Sequence, residues 1–174
     1  KQVFSSGNVL DTARLAWVLA GKLGVSVESV QAMVLGEHGD SQFPVWSQAR
    51  IGDVPILEYS HQSKTLKPSE LDEIAEQVKT AGAAVIAGKG ATNYGIGLST
   101  IRIVEAILND ENLVLPVSSV LDDYLGVSGV ALSVPTLVNG LGAAEPKQLT
   151  LNEDEMKKLL SSANAIEESV HSLD

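Results

Sequence analysis

The sequence predicts an α+β fold, with mixed helices and an antiparallel sheet. Three observations carry that expectation. Apolar residues recur at helical spacing in three stretches between residues 10 and 109. From Asn112 to Asn139 the pattern changes to β-branched runs separated by turn signals, and a last helical stretch closes the chain. No regular strand–helix–strand alternation is present, which argues against a doubly wound parallel sheet. At 174 residues and 44% hydrophobic, the chain fits one domain spanning residues 1–174. A chain of that size buries roughly 70% of its unfolded surface.

The elements follow in order. After an extended start, Leu10 to Leu23 carries a broad apolar face (Leu10, Ala13, Leu15, Val18, Leu19, Leu23) and is stopped by Gly24. Gln31 to Leu35 reads as a short buried strand ending at Gly36. Val45 to Ile51 reads as a second strand, followed by a turn at Gly52-Asp53 and a further strand start at Val54-Pro55. Pro68-Ser69-Glu70 opens a helix with Ser69 as N-cap. That helix is expected to run to about Ala87, to bury its apolar second half from Ala81, and to end at Gly88-Lys89-Gly90. A third helix is expected from Gly97 to Asn109. Leu113–Leu115, Val117–Leu121 and Val130–Val138 read as strands, with a hairpin tip at Gly126–Gly129. The final helix runs from Asn152 to about His171, capped by Asn152 with Glu155 reaching back. No internal repeat, low-complexity tract or linker interrupts the series.

Composition excludes several classes. With 22 acidic and 12 basic residues the net charge is −10, a field that repels phosphate backbones, and the basic residues form no stripe. Nucleic acid is therefore not an expected partner. No apolar run approaches the ~18–20 residues of a membrane span, so no membrane association is expected either. The absence of cysteine rules out disulfide and thiolate chemistry. Together with the absence of an Asn-x-Ser/Thr sequon, it fits a cytoplasmic protein. The chain opens Lys1-Gln2-Val3-Phe4 with neither a methionine nor a signal peptide, as a fragment would.

Two segments carry the chemistry. In Leu10-Asp11-Thr12-Ala13-Arg14, Asp11 and Arg14 are i, i+3 neighbours on one helix face. A guanidinium on a rigid element can bind a carboxylate through two charge-assisted hydrogen bonds. The plainer reading is a surface ion pair worth a few tenths of a kcal/mol. In Gly36-Glu37-His38-Gly39-Asp40-Ser41, one of the chain's three histidines sits where an apolar strand gives way to a glycine-flanked loop. A histidine there exchanges protons near neutral pH if a partner fixes its tautomer, and Asp11 is the candidate orienter across the fold. The plainer reading is an ordinary loop histidine. His61 and His171, in polar surroundings, read as surface residues. Orienting anion, anion clamp and proton carrier are together what chemistry on a small 2-oxo or 2-hydroxy carboxylate requires.

These segments resemble the L-lactate/malate dehydrogenases. The likeness rests on Leu10–Arg14, the 27 positions from Asp11 to His38, the loop at Gly36–Ser41 and Gly88-Lys89-Gly90-Ala91-Thr92. It covers essentially the whole chain as the family's C-terminal, substrate-binding half, most like that of a bacterial L-lactate dehydrogenase. By that resemblance the fold is the family's C-terminal domain, and His38 exchanges a proton with the carbonyl oxygen of pyruvate or the hydroxyl of L-lactate. Asp11 holds the imidazole, Arg14 clamps the substrate carboxylate and Thr92 lines the pocket near the C2 substituent. Ser6 and Ile96 face the nicotinamide of NAD. The family also implies a homodimer or homotetramer.

Two departures matter. Ser5-Ser6-Gly7 stands where the family usually has Gly-Ser-Gly, which leaves Ser6 in place. Allosteric bacterial relatives carry an arginine and a histidine for fructose 1,6-bisphosphate where this chain has Ala16 and Gln31. No Gly-x-Gly-x-x-Gly follows a strand anywhere, so the NAD-binding Rossmann half is expected to lie outside this chain. Gly88, Gly90, Gly95 and Gly97 are too widely spaced, and the lysine ending Gly82–Lys89 lacks the Ser or Thr of a phosphate loop. No Gly-x-Ser-x-Gly elbow is present. Glu37, His38 and Asp40 lie close in sequence, but His-Glu-x-x-His is absent and a glycine-rich loop fixes ligands poorly, so no metal is expected.

The leading reading is the catalytic half of an NAD-dependent L-lactate dehydrogenase. An L-2-hydroxyisocaproate-type enzyme and malate dehydrogenase are its rivals. Thr92 favours lactate over malate, whose enzymes usually carry a smaller residue there. A separate class of reading is a non-catalytic carboxylate-binding or assembly domain, against which the retained His38, Asp11 and Arg14 argue. From Ala16 and Gln31, fructose 1,6-bisphosphate is expected to leave the pyruvate saturation curve of the whole enzyme unchanged. A clear sharpening of that curve in steady-state assays would count against this.

Overall fold

The structure, a computed structural model, describes residues 2–173. Its helices are α1 (Val9–Leu23), α2 (Pro68–Lys89), α3 (Asn93–Leu108) and α4 (Glu153–His171). Its strands are β1 (Val30–Gln31), β2 (Val34–Leu35), β3 (Phe43–Pro44), β4 (Arg50–Ile51), β5 (Val54–Pro55), β6 (Leu113–Val120), β7 (Ala131–Asn139) and β8 (Gly142–Pro146). All pairings between these strands are antiparallel, in the orders β1-β4-β5, β2-β3 and β6-β7-β8. The α+β expectation therefore holds.

α1 forms where apolar spacing predicts it. Leu15, Leu19 and Leu23 are fully buried, and Gly24 closes the helix in the left-handed region at φ 73°. These leucines pack against Leu71, Ile74 and Val78 from the first half of α2. Truncating one of them, such as Leu19, to alanine costs about 2–5 kcal/mol through lost transfer energy and the cavity left behind. A second cluster joins Leu35 and Phe43 to Leu132 and Val134 of β7 and Leu159 of α4. A third places Ile103 and Ala106 of α3 on Val117 and Val138 of the long sheet.

Several elements differ from their sequence expectation, each for a tertiary reason. The predicted strand Gln31–Leu35 is two strands that pair with different partners, β1 with β4 and β2 with β3. The predicted strand Val45–Ile51 is broken by a 3-10 turn at Trp46–Gln48, where the Glu155 carboxylate of α4 accepts from the Ser47 amide at 2.9 Å and its hydroxyl at 2.6 Å. The N-cap of α2 is Lys67 rather than Ser69. Pro68 takes the first helical position, where its missing N–H costs nothing, and Glu70 accepts from the Lys67 amide at 2.9 Å. α3 starts at Asn93 rather than Gly97. Gly95 lets it close on α1, since a Cβ there would lie 3.1 Å from Leu10 Cδ1.

Two further corrections concern the sheet and the α2 surface. The two strands predicted around Pro116 are one, because Pro116 pairs with Pro135 and neither has an N–H to lose. Their carbonyls bond outward instead, Pro116 O to the Asn8 amide at 3.1 Å and Pro135 O to the Lys147 amide at 2.6 Å. β8 has no strand signature in Gly-Ala-Ala-Glu-Pro, and pairing with β7 alone creates it. The second half of α2 is not buried. Residues 83–90 are exposed, Ile86 by 52%, because among the described residues nothing packs over them. The final helix matches, with Asn152 Oδ1 accepting from the Glu155 amide at 2.9 Å and Glu155 reaching back to the Asn152 amide at 3.1 Å. His61 and His171 are both exposed, as expected.

The extended start is pinned to the long sheet by reciprocal hydrogen bonds between Ser5 and Ser118 at 2.8 and 3.0 Å. Gly7 then turns the chain into α1 at φ 51°. A Cβ on Gly7 would lie 2.5 Å from Ser133 Oγ, 2.7 Å from Pro116 O and 2.8 Å from Ser118 N. Two of those neighbours are backbone and cannot swing away. Gly7→Ala is therefore expected to destabilise the chain by about 2–4 kcal/mol in urea unfolding.

Candidate active site

The site is assembled from one face of α1. Asn8, Asp11 and Thr12 fall at helical spacings that align them, and each holds the segment carrying His38. Thr12 Oγ1 accepts from the Val34 amide of β2 at 2.9 Å. Asn8 Nδ2 donates to Gly36 O at 3.4 Å and Glu37 O at 3.5 Å. Asp11 Oδ2 stands 2.8 Å from His38 Nδ1. On the opposite side, Gly36 exchanges two backbone hydrogen bonds of 3.0 Å with Ser133 of β7. The loop thus runs between α1 and the long sheet.

Asp11 is shared. Its Oδ1 accepts from Arg14 Nη1 at 2.9 Å, while the buried Oδ2 has no hydrogen bond of good geometry among the described residues and faces His38 Nδ1 as an ion-pair partner. The carboxylate side chain is 2% exposed, Arg14 is 22% and His38 is 60%. A buried carboxylate oxygen without a hydrogen bond calls for a compensating positive charge, and a protonated His38 ring, with Nδ1 at 2.8 Å, supplies it. Asn8 Oδ1, at 3.2 Å from the same nitrogen, adds a second acceptor. Both point to a ring protonated on Nδ1, which leaves Nε2 as the atom that exchanges protons. The hydrogen bond to Asp11, aided by the charges of Asp11 and Glu37, raises His38 above its ordinary 6.5. Partial burial and the Arg14 guanidinium pull the other way.

A cleft of about 350 Å³ opens at this point. Asp11, Arg14 and His38 line it, together with Thr92 and Ile96 from the start of α3. Five of the six site residues expected from sequence therefore meet in one place. Ser6 is not among the lining residues, although its neighbour Gly7 is. Ile96 presents an apolar surface that is 39% exposed, which fits the face of a flat ring. Among the described residues no group of three or more His, Asp or Glu side chains is placed to hold a metal ion.

Sequence reasoning missed three participants. Asn8 stands where an N-cap is expected, yet its side chain makes no cap and turns to the His38 loop. Lys79 lines the cleft from α2, its ammonium 2.9 Å from Glu76 Oε2. Ser162 of α4 receives the Glu37 amide at 2.7 Å. Helical spacing aligns Asn8 with Asp11, but neither Lys79 nor Ser162 carries a local signal.

The fold and the cleft define an α+β domain built around a histidine equipped to exchange protons beside a guanidinium. The model of the lactate/malate dehydrogenase, alpha/beta C-terminal domain, matches residues 8–173. An L-lactate dehydrogenase of Bacillus velezensis is 42% identical over 168 residues, covering 97% of this chain and 53% of that relative. The structure of the minor L-lactate dehydrogenase from Enterococcus mundtii, in a ligands-bound form, matches with a TM-score of 0.93 and 38% identity, over 99% of this chain and 55% of that one. The malate dehydrogenase from Aeropyrum pernix matches with a TM-score of 0.89 and 32% identity, over 98% and 54%. This chain belongs to the lactate/malate dehydrogenase family, as its C-terminal domain. It spans about half the length of the curated relatives it matches.

The raised His38 pKa carries a sign. The His38–Asp11 contact contributes stability fully below pH 6.5 and loses it as pH rises through the folded-state pKa. Asp11→Asn removes the charge and is expected to lower the His38 midpoint, read by NMR titration of the imidazole. A midpoint unchanged in that variant would show that Asp11 does not tune the ring.

Proposed function

We propose that this chain is the acid/base and carboxylate-binding half of an NAD-dependent L-2-hydroxyacid dehydrogenase that interconverts pyruvate and L-lactate. The observation that carries this reading is the single Asp11 carboxylate joining His38 and Arg14 at the wall of one cleft. His38 Nε2 gives a proton to the substrate carbonyl oxygen and, in the other direction, takes one from the hydroxyl. Asp11 compensates the charge of the imidazolium, so the protonated ring persists until negative charge develops on that oxygen. Arg14 spends Nη1 on Asp11, which fixes the guanidinium plane and leaves its other N–H groups to clamp the substrate carboxylate.

Thr92 would border the C2 substituent, and Ile96 with Ser6 would meet the nicotinamide. When bound, NAD supplies or accepts the hydride. The rest of its binding is assigned to a Rossmann half beyond this chain. The relatives named L-lactate dehydrogenase and the threonine at position 92 favour lactate as substrate. The likeness to a malate dehydrogenase supports malate as the second reading. The exposed apolar side chains of α2 and α3, among them Ile86, Leu98 and Leu108, suit burial against that other half or a second copy in a homo-oligomer.

Alone, this chain is expected to show no appreciable pyruvate-dependent oxidation of NADH. Joined in one polypeptide to the N-terminal half of an L-lactate dehydrogenase relative, it is expected to turn over, and His38→Gln should then lower kcat roughly 10²–10⁴-fold. Ordinary turnover by the isolated chain, or an active His38→Gln hybrid, overturns the assignment.

A further inference from the structure

The proton-exchanging histidine is held from a place 124 residues away in sequence. Ser162 lies near the middle of α4, is fully buried, and points into the loop that carries His38. Its Oγ accepts from the Glu37 amide at 2.7 Å. The same Oγ is 2.9 Å from Ser41 Oγ and 3.2 Å from Ser41 O. The Ser41 hydroxyl in turn bonds the Glu37 carboxylate, which also accepts from the Ser41 amide at 3.3 Å.

Donor counting fixes the direction of these bonds. A carboxylate only accepts, so the Ser41 hydroxyl proton goes to Glu37. The single hydroxyl proton of Ser162 then goes to Ser41. Glu37 N–H to Ser162, Ser162 O–H to Ser41 and Ser41 O–H to Glu37 form a closed ring. It clasps residues 37 and 41, the two ends of the turn that presents His38. The fit is close, because a Cβ on Gly36 would lie 2.5 Å from Ser162 Oγ, and Gly36 sits at φ 91°.

We propose that Ser162 is a positioning residue for His38, closing this ring so that Nδ1 stays on Asp11. The inference rests on the acid/base reading of His38. Its physical basis is that α1 holds the turn from one side, through Asn8 and Asp11, while Ser162 holds it from the other. Without the ring the Glu37 amide and the Ser41 hydroxyl lose a partner, and the turn is free to carry His38 off Asp11. The hydroxyl of Ser162 is the part required, not its bulk.

The test is made on this chain by NMR, with no turnover involved. Charged groups around His38 are Asp11 and Arg14 from α1, Glu37 and Asp40 from its own loop and Lys79 from α2, and none of them is changed by Ser162→Ala. In that variant the imidazole midpoint is expected to fall toward 6.5, and exchange of the Glu37 amide to quicken at least ~10-fold. Ser47→Ala removes the hydroxyl half of the other tie of α4, to Glu155, leaving the Ser47 amide on that carboxylate, and is expected to leave the His38 midpoint where it was. If Ser162→Ala does not fold, Ser41→Ala breaks the ring at a half-buried position. The Ser41 amide still holds the Glu37 carboxylate in that variant, so the charges facing His38 stay in place and a fall reports lost geometry. An unchanged midpoint in a folded ring variant overturns the proposal, as does an equal shift in Ser47→Ala. Failure of the acid/base reading appears separately, as an active His38→Gln hybrid, and leaves these NMR outcomes untouched.

Discussion

The placement of the Asp11 carboxylate governs the rest of the site. It is buried on α1 with one oxygen on a guanidinium and the other on an imidazole. A buried anion is tolerated only when paired and hydrogen-bonded, because desolvation costs several kcal/mol per ion. Here both partners also line the cleft, so the requirement that stabilises Asp11 aims Arg14 and His38 at the same place. Gly7, Gly36 and Gly95 permit the close approaches that bring α1, the His38 loop and α3 to that point.

Helix α4 extends the same logic from the far end of the chain. Glu155 and Ser162, seven residues apart on one face, fasten the segments before and after β3 through Ser47 and through Glu37 and Ser41. Between these two ties, Leu159 fills the core against Leu35 and Leu132. The last helix of the chain thereby serves as a splint for the loop. The outer faces of α2 and α3 behave differently. They carry Ile86, Leu98, Ile101 and Leu108 exposed. An apolar surface of this kind suits cover by another domain or a second copy, as proposed above.

The helices were legible because burial of one face imposes a period on the sequence. α1 and α4 match to within a residue in extent, with the Gly24 stop and the Asn152–Glu155 capping box where the sequence puts them. The long strands were legible where β-branched residues crowd together, in β6 and β7, and the turn at Gly52-Asp53 marked the start of β5 at Val54-Pro55. β8, the break at Trp46–Gln48 and the division between β1 and β2 were hidden, since pairing partners and the distant Glu155 decide them. The burial expected for Ala81–Ala87 failed for a related reason. Apolar composition says that a surface prefers cover, not that this stretch of chain supplies it.

Of the site, sequence determined the candidates. Asp11, Arg14 and His38 stand out because the proposed acid/base work on a carboxylate needs those residue types, and helical spacing puts Asp11 beside Arg14. The spacing of Asp11, His38 and Thr92 resembles one family and no periodicity explains it. Only the tertiary structure decided that Asp11 meets His38, that Thr92 and Ile96 share their cleft, and that Asn8 and Ser162 steady the turn. These are contacts between residues far apart in the chain. Local sequence fixes what each group can donate, accept or bury. The packing of helices on the sheet fixes which of those groups come within 3 Å of one another.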